Sequence, residues 1–277
     1  MTLPFALLLH AGATLSWTGF TVHWSTVVGL TMLGALYAWR ARHAPPQGRP
    51  VSPAQRAAFA SGLVLIFFSL NGWLHDLSDY YLFSAHMVQH LLLTLVAPPL
   101  LLLGTPGWML RPALQVHAVA RVARAITTPR ACFAIFNVVV AVWHLPVMYN
   151  TAMAHHNIHI VQHLMFMGAA VLMWWPILSP LPELPRLSYP LQMLYLFLMS
   201  IPMSIIAVYI AYSDSALYPA YSSAPRILGM TPMDDQMLGG LIMWIPGGLF
   251  FFAVISVVFF RWQQAGAEDN QQSAQRA

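Results

Sequence analysis

Residues 86–106 read HMVQHLLLTLVAPPLLLLGTP. Beyond His90 the stretch is almost wholly apolar, and it has the length of about 20 residues that a bilayer core demands of a helix. Two histidines four apart are set into its opening turns. The hexamer at 86–91, HMVQHL, recurs as HIVQHL at 159–164, at the head of a second apolar run. A helix that carries imidazoles into hydrocarbon twice, with the same spacing, makes the reading of these two stretches decide both fold and function.

Composition extends the membrane reading to the whole chain. Of 277 residues, 58% are hydrophobic and 7% charged, against roughly 25% charged in soluble domains. The formal net charge of +4 does not indicate a nucleic-acid partner, because such proteins gather basic residues on a polar face, whereas here the arginines are scattered between apolar runs. There is no lysine, which excludes a Schiff-base chromophore or a lysine nucleophile. Cys132 is the single cysteine, so neither an internal disulfide nor a paired-thiolate metal site can form. Soft-metal chemistry must then use His and Met.

The expected fold class is all-α, a polytopic membrane helix bundle with seven transmembrane helices near 22–40, 57–75, 84–104, 131–148, 157–178, 190–211 and 236–260. Pro98 and Pro99 should kink the third, with neighbouring groups re-satisfying the freed carbonyls. Three regions are expected: an outer amino-terminal segment over 1–21, a membrane domain over 22–262 and a disordered cytoplasmic tail over 263–277. The first segment lacks the basic start of a signal peptide and reads as retained. Eleven arginines, among them Arg40, Arg111, Arg121 and Arg186, fall in loops on one side or in the tail, against Arg226 alone on the other. The positive-inside rule therefore sets the amino terminus outside.

Under that topology ten of the twelve histidines gather at the outer ends of the spans. His43 and His117 lie in inner loops beside arginines and read as solvated. His10, His23, His155 and His156 read as ordinary interfacial histidines. The remaining six form a pattern. Trp73-Leu74-His75 ends one span before His86 and His90 open the next; Trp143-His144 ends a span before His159 and His163 open another. This is a duplicated helical hairpin, and duplicated units commonly enclose a site at their interface. Residues four apart share a helix face, so each HxxxH can present two rings to one cavity. Asp76 and Asp235 are expected to ligate a metal or to orient a ligating imidazole; Asp79 and Asp234 serve equally well as solubilising or helix-capping charges. Met87, Met148 and Met153 lie close by, but thioethers in so apolar a chain are mostly packing.

Imidazoles and thioethers without thiolates favour copper, with zinc or haem iron next. No glycine loop for phosphate is present, which argues against an ATP-driven pump. Three long stretches, residues 86–106, residues 143–180 (WHLPVMYNTAMAHHNIHIVQHLMFMGAAVLMWWPILSP) and residues 235–248 (DQMLGGLIMWIPGG), resemble the CtaG-type cytochrome c oxidase assembly factors over about residues 22–262. The resemblance implies a multi-pass protein of the bacterial cytoplasmic membrane that assists formation of the copper centre beside the haem of an oxidase, with a haem-copper oxidase core subunit and the lipid membrane as partners. Carried onto this chain, it points to His75, His86, His90, His144, His159, His163 and Asp235, with the metal on the extracytoplasmic side. The single-span, cysteine-bearing copper chaperones sometimes given the same name work differently, since Cys132 falls on the inner side. The expected role is thus an assembly factor and not an enzyme. Two other readings stand beside it: a haem-binding membrane redox protein, with imidazoles such as His90 and His163 on either side of the iron, and a zinc-dependent intramembrane hydrolase, which lacks the glutamate of HExxH.

Overall fold

The computed structural model describes residues 20–45 and 49–276, with side chains to residue 268; His10 and nearly all of the segment 1–21 lie outside the described residues. Every regular element among them is helical. In chain order these are α1 (Trp24–Arg42), α2 (Pro53–Ser69), α3 (Gly72–Tyr80), α4 (Phe83–Gly104), α5 (Gly107–Leu114), α6 (His117–Ile126), α7 (Pro129–His144), α8 (Pro146–Ala154), α9 (His156–Leu178), α10 (Tyr189–Ala211), α11 (Pro219–Ser222) and α12 (Pro232–Arg276).

Four of these helices, α4, α9, α10 and α12, are long and apolar enough to cross a membrane, and the number rises to six if the bent pairs α2–α3 and α6–α7 each count as one span. The described residues thus supply four to six candidates for the seven spans expected. The helix expected over 22–40 does form as α1, but Ser25, Thr26, Thr31 and its closing Arg40 and Arg42 dilute it, and none of its residues is buried. The span expected to end at His75 breaks earlier. Asn71 and Gly72, the latter at φ +67°, turn the chain by 44° between α2 and α3, and the Gly72 amide donates to Thr21 O at 2.9 Å. His75 thus rides on a short separate helix.

The proline pair in α4 acts as expected. A π-helical turn over Leu92–Val96 precedes it, and because Pro98 has no N–H to give Thr94 O, the indole of Trp174 donates to that carbonyl at 2.9 Å. At the carboxyl end α12 continues to Arg276, through the tail expected to lack structure. No proline follows Pro246, and Gly266 is the only glycine after Gly248; the intervening alanines and glutamines are good helix formers. The close pairing of α10 with α12 relies on Gly240: a Cβ there would stand 2.7 Å from Ala211 N and 2.8 Å from Ala207 O. Small residues let helix backbones approach closely, the usual solution where lipid offers no hydrophobic drive.

The helices sort the polar residues into two ends. His86 and Gly104 are the head and foot of α4, about 27 Å apart at 1.5 Å per residue. At the foot, the Arg40 guanidinium donates to Trp108 O and Met109 O at 3.4 and 3.5 Å and Arg111 pairs with Glu183 at 2.7 Å. At the head lie the histidines.

Candidate metal centre

Four elements bring the imidazoles together. α4 supplies His86 and His90, α9 supplies His159 and His163, α7 ends on His144 and α3 carries His75. All six are buried, His86 completely. Matching positions of the two hexamers face one another: the His86 and His159 rings are 5.6 Å apart and nearly parallel, and the His90 and His163 rings are 5.7 Å apart. His90 also stands 5.8 Å from His144. The first hairpin's rings therefore meet the second's within one pocket and do not turn out into lipid.

Hydrogen bonds fix which nitrogen of several rings is bare. His144 Nδ1 lies 2.7 Å from Val140 O; a carbonyl can only accept, so Nδ1 carries the proton and Nε2 is left as a lone pair. His86 Nδ1 sits 3.0 Å from the Tyr221 hydroxyl. That hydroxyl donates its proton to Ser78 O at 2.7 Å, so it accepts from His86, and from Tyr149 Oη at 2.9 Å. Burial lifts the Tyr221 phenol well above its ordinary pKa, which keeps it a donor. His86 Nε2 is then bare as well, and takes a proton from His90 Nε2 at 2.8 Å. His159 Nδ1 faces Asp79 Oδ2 at 3.5 Å. The Nε2 atoms of His144 and His159, His90 Nδ1 and both nitrogens of His163 are buried without a protein partner.

His75 is held differently. The Gln89 amide nitrogen donates to Ser69 O at 2.6 Å, which fixes the amide's orientation, and it also lies 3.1 Å from His75 Nδ1. His75 Nε2 in turn lies 3.3 Å from Asp79 Oδ2. Both of its nitrogens are engaged, so His75 positions Asp79 more than it offers a ligand.

The carboxylate of the cluster is Asp79. One ligand atom each from Asp79, His86 and His159 fall within 4.8 Å of one another, close enough to hold an ion. Asp76 and Asp235, the acids singled out in the sequence, are placed elsewhere. Asp76 accepts from Thr21 Oγ1 at 2.6 Å in an exposed position. Asp235 is buried at the start of α4, where its two oxygens take the amides of Phe83 and Ser84 at 2.7 and 3.0 Å and the Ser84 hydroxyl; it caps that helix from α12. Three further residues were missed: Tyr221, Tyr149 and Gln89. A signal for the last existed, because glutamine precedes the second histidine in both hexamers, and Gln162 is likewise wholly buried.

The model of the family described as "Cytochrome c oxidase caa3 assembly factor (Caa3_CtaG)" matches residues 35–265. The chain belongs to that family. The match spans every element that supplies the imidazole cluster, from α3 to α9, as well as the capping Asp235 on α12. No curated protein and no solved structure shows a significant match. Family membership makes this chain a cytochrome c oxidase assembly factor among membrane helices; which metal the imidazoles take is a separate question.

Proposed function

We propose that this assembly factor binds copper through the imidazole cluster and passes it to a haem-copper oxidase core subunit within the bacterial cytoplasmic membrane, with the cluster on the extracytoplasmic side. The observation that carries this reading is the tautomer pattern. His86 and His144 each give the Nδ1 proton to a protein acceptor, a tyrosine hydroxyl and a backbone carbonyl, which leaves Nε2 with the lone pair, and His159 faces the Asp79 carboxylate with Nδ1 at 3.5 Å while its Nε2 has no protein partner. Ligating histidines are held in this way by their outer partners.

Metal-to-imidazole bonds of about 2.0–2.1 Å put two nitrogens about 3.3 Å apart in tetrahedral coordination. His86 Nε2 and His90 Nε2 lie 2.8 Å apart with the His90 proton between them, so both ligate one ion only once His90 carries its proton on Nδ1 and the two nitrogens separate by about half an ångström. An all-nitrogen set with one carboxylate and no thiolate suits copper or zinc and is too poor in oxygen for magnesium or calcium. The side expectation follows from the arginines lying at the opposite end of α4.

The test is metal analysis together with an absorption spectrum of detergent-purified protein, joined to the copper content of the oxidase in cells. Copper in the purified protein, and an oxidase depleted of copper when His86 and His90 are both changed to alanine, are expected. Zinc alone with chelator-sensitive hydrolysis, a Soret band, or no bound metal with a fully coppered oxidase would each overturn the reading.

A further inference from the structure

Beside the cluster, α1, α2, α3, α4 and α9 leave a cavity of about 470 Å³. Its walls are apolar, formed by Leu30 and Leu33 of α1, Leu101 of α4, and Leu164, Met167 and Val171 of α9. Its polar end is made by His23, His156 and the cluster members His75, Asp79, His159 and His163. Gly29 and Gly168 line it on α1 and α9, and a Cβ on either would meet no heavy atom within 4 Å. The space is therefore real at both walls and is kept open by the two glycines.

Size restricts the occupant. A helix with side chains is about 10–12 Å across, so this volume would hold only about one turn, whereas small-molecule sites run from roughly 300 to 1,000 Å³. Charge restricts the head. Among the described residues Asp79 is the only acid lining the cavity and no arginine lines it, so an anionic phosphate there would meet a carboxylate with none of these cations to offset it. The hydrogen-bonding demand restricts it further. His163 is buried with both ring nitrogens unpartnered, and a neutral imidazole always presents one N–H donor and one lone pair. A plain hydrocarbon would leave both unmet, at the cost that buried polar groups carry. An oxygen-bearing ring meets one half of this demand in each redox form, since a quinone carbonyl accepts the N–H and a quinol hydroxyl donates to the lone pair.

We propose that this cavity binds a prenylated quinone or quinol, its neutral ring at His163 and its single apolar tail running between α1 and α9. The site shares Asp79, His159 and His163 with the imidazole cluster proposed to hold copper, so the experiment reads quinone and copper separately.

The experiment uses the full chain in detergent. Organic extraction followed by chromatography should recover quinone with the protein, and a short-tailed benzoquinone probe should bind saturably at about one per chain. Gly168→Leu and Gly29→Leu fill the cavity while replacing a poor helix former by a good one. Each should weaken probe binding at least tenfold with the thermal midpoint and the copper content of the purified protein unchanged. His163→Phe, which keeps the apolar volume but removes both polar atoms, should weaken it as well. Extraction of phospholipid or detergent alone with no saturable probe binding, or leucine variants that bind the probe like the parent chain, would overturn the proposal whatever the copper measurements show.

Discussion

Tyr221→Phe removes one oxygen atom and tests the tautomer argument directly. The ring stays in place, packed 5.7 Å from Phe83 and 6.2 Å from Tyr149, but three hydrogen bonds at 2.7, 2.9 and 3.0 Å disappear. His86 Nδ1–H is left in a dry pocket without an acceptor, at a cost of about 1–3 kcal/mol. The ring can escape that cost only by moving its proton to Nε2 or by rotating, and either withdraws the lone pair offered to a metal. Loss of such an outer partner weakens metal binding by about 10–100-fold, which is about 1.4–2.7 kcal/mol. Competition against a cuprous chelator of known affinity measures it. Tyr149→Phe is the control, because it deletes only the 2.9 Å bond to Tyr221 and leaves His86 anchored; its effect should appear in thermal stability, on the order of 1 kcal/mol, with copper affinity close to that of the parent chain. If Tyr221→Phe holds copper as tightly as the parent, the Nδ1 anchor does not matter and the carrying observation of the proposed function is lost.

Asp235→Ala should lower thermal stability by about 1–2 kcal/mol, the loss of a helix cap, yet keep the copper stoichiometry of the purified chain; a fall in bound copper at unchanged stability would make Asp235 a ligand after all. Gly240→Leu drives a side chain into the backbone of Ala207 and Ala211 and should cost at least the 1–3 kcal/mol of an overpacked core, seen as an earlier melt in detergent. Cys132→Ala should leave copper binding untouched, because Cys132 is buried and its thiol donates to Ile126 O at 3.3 Å, on α6 and away from the imidazoles; metal analysis before and after the change decides it. Copper at 100 times its dissociation constant should stabilise the parent chain by about 2.7 kcal/mol, and a melting curve insensitive to added copper would count against a site built across several helices.

How far the sequence reached can be judged residue by residue. The six histidines were legible because cost makes them so: imidazoles repeated at a four-residue spacing inside hydrocarbon have few explanations, and a helix face follows from spacing alone. The acids were not legible. Asp76 and Asp79 both follow His75 closely, and only the turn at Asn71–Gly72 decides that Asp79 faces the pocket while Asp76 meets Thr21. Asp235 looked like a ligand because it is an acid at a span end, and the same position suits a cap; the choice depends on the α4 amides lying against α12, a contact between residues about 150 apart in sequence. Tyr221 and Tyr149 gave no periodic signal, since they are anchors set by tertiary contact. Of the seven expected spans, the described helices supply six candidates when each bent pair, α2–α3 and α6–α7, is taken as one, and the remaining one is the more polar α1; hydropathy windows do not see those bends.

The repeat is also less symmetrical than its spelling, and the departure has a consequence for assembly. His159, in the second hexamer, is oriented by Asp79 from the first hairpin's α3, and His86, in the first hexamer, by Tyr221 from the segment between α10 and α12. Each of these metal-facing rings is therefore aimed by a residue outside its own hairpin. An isolated hairpin would carry the HxxxH letters with its rings free to choose either tautomer, and would bind metal as a flexible peptide does. Only when the hairpins pack do the lone pairs of His86, His144 and His159 become fixed together, so packing of the bundle and affinity for the ion are two readings of one equilibrium. If the cluster holds copper as proposed, a movement of α3 or of the α11 segment that displaces Asp79 or Tyr221 would loosen one ligand without unfolding the helix that carries it.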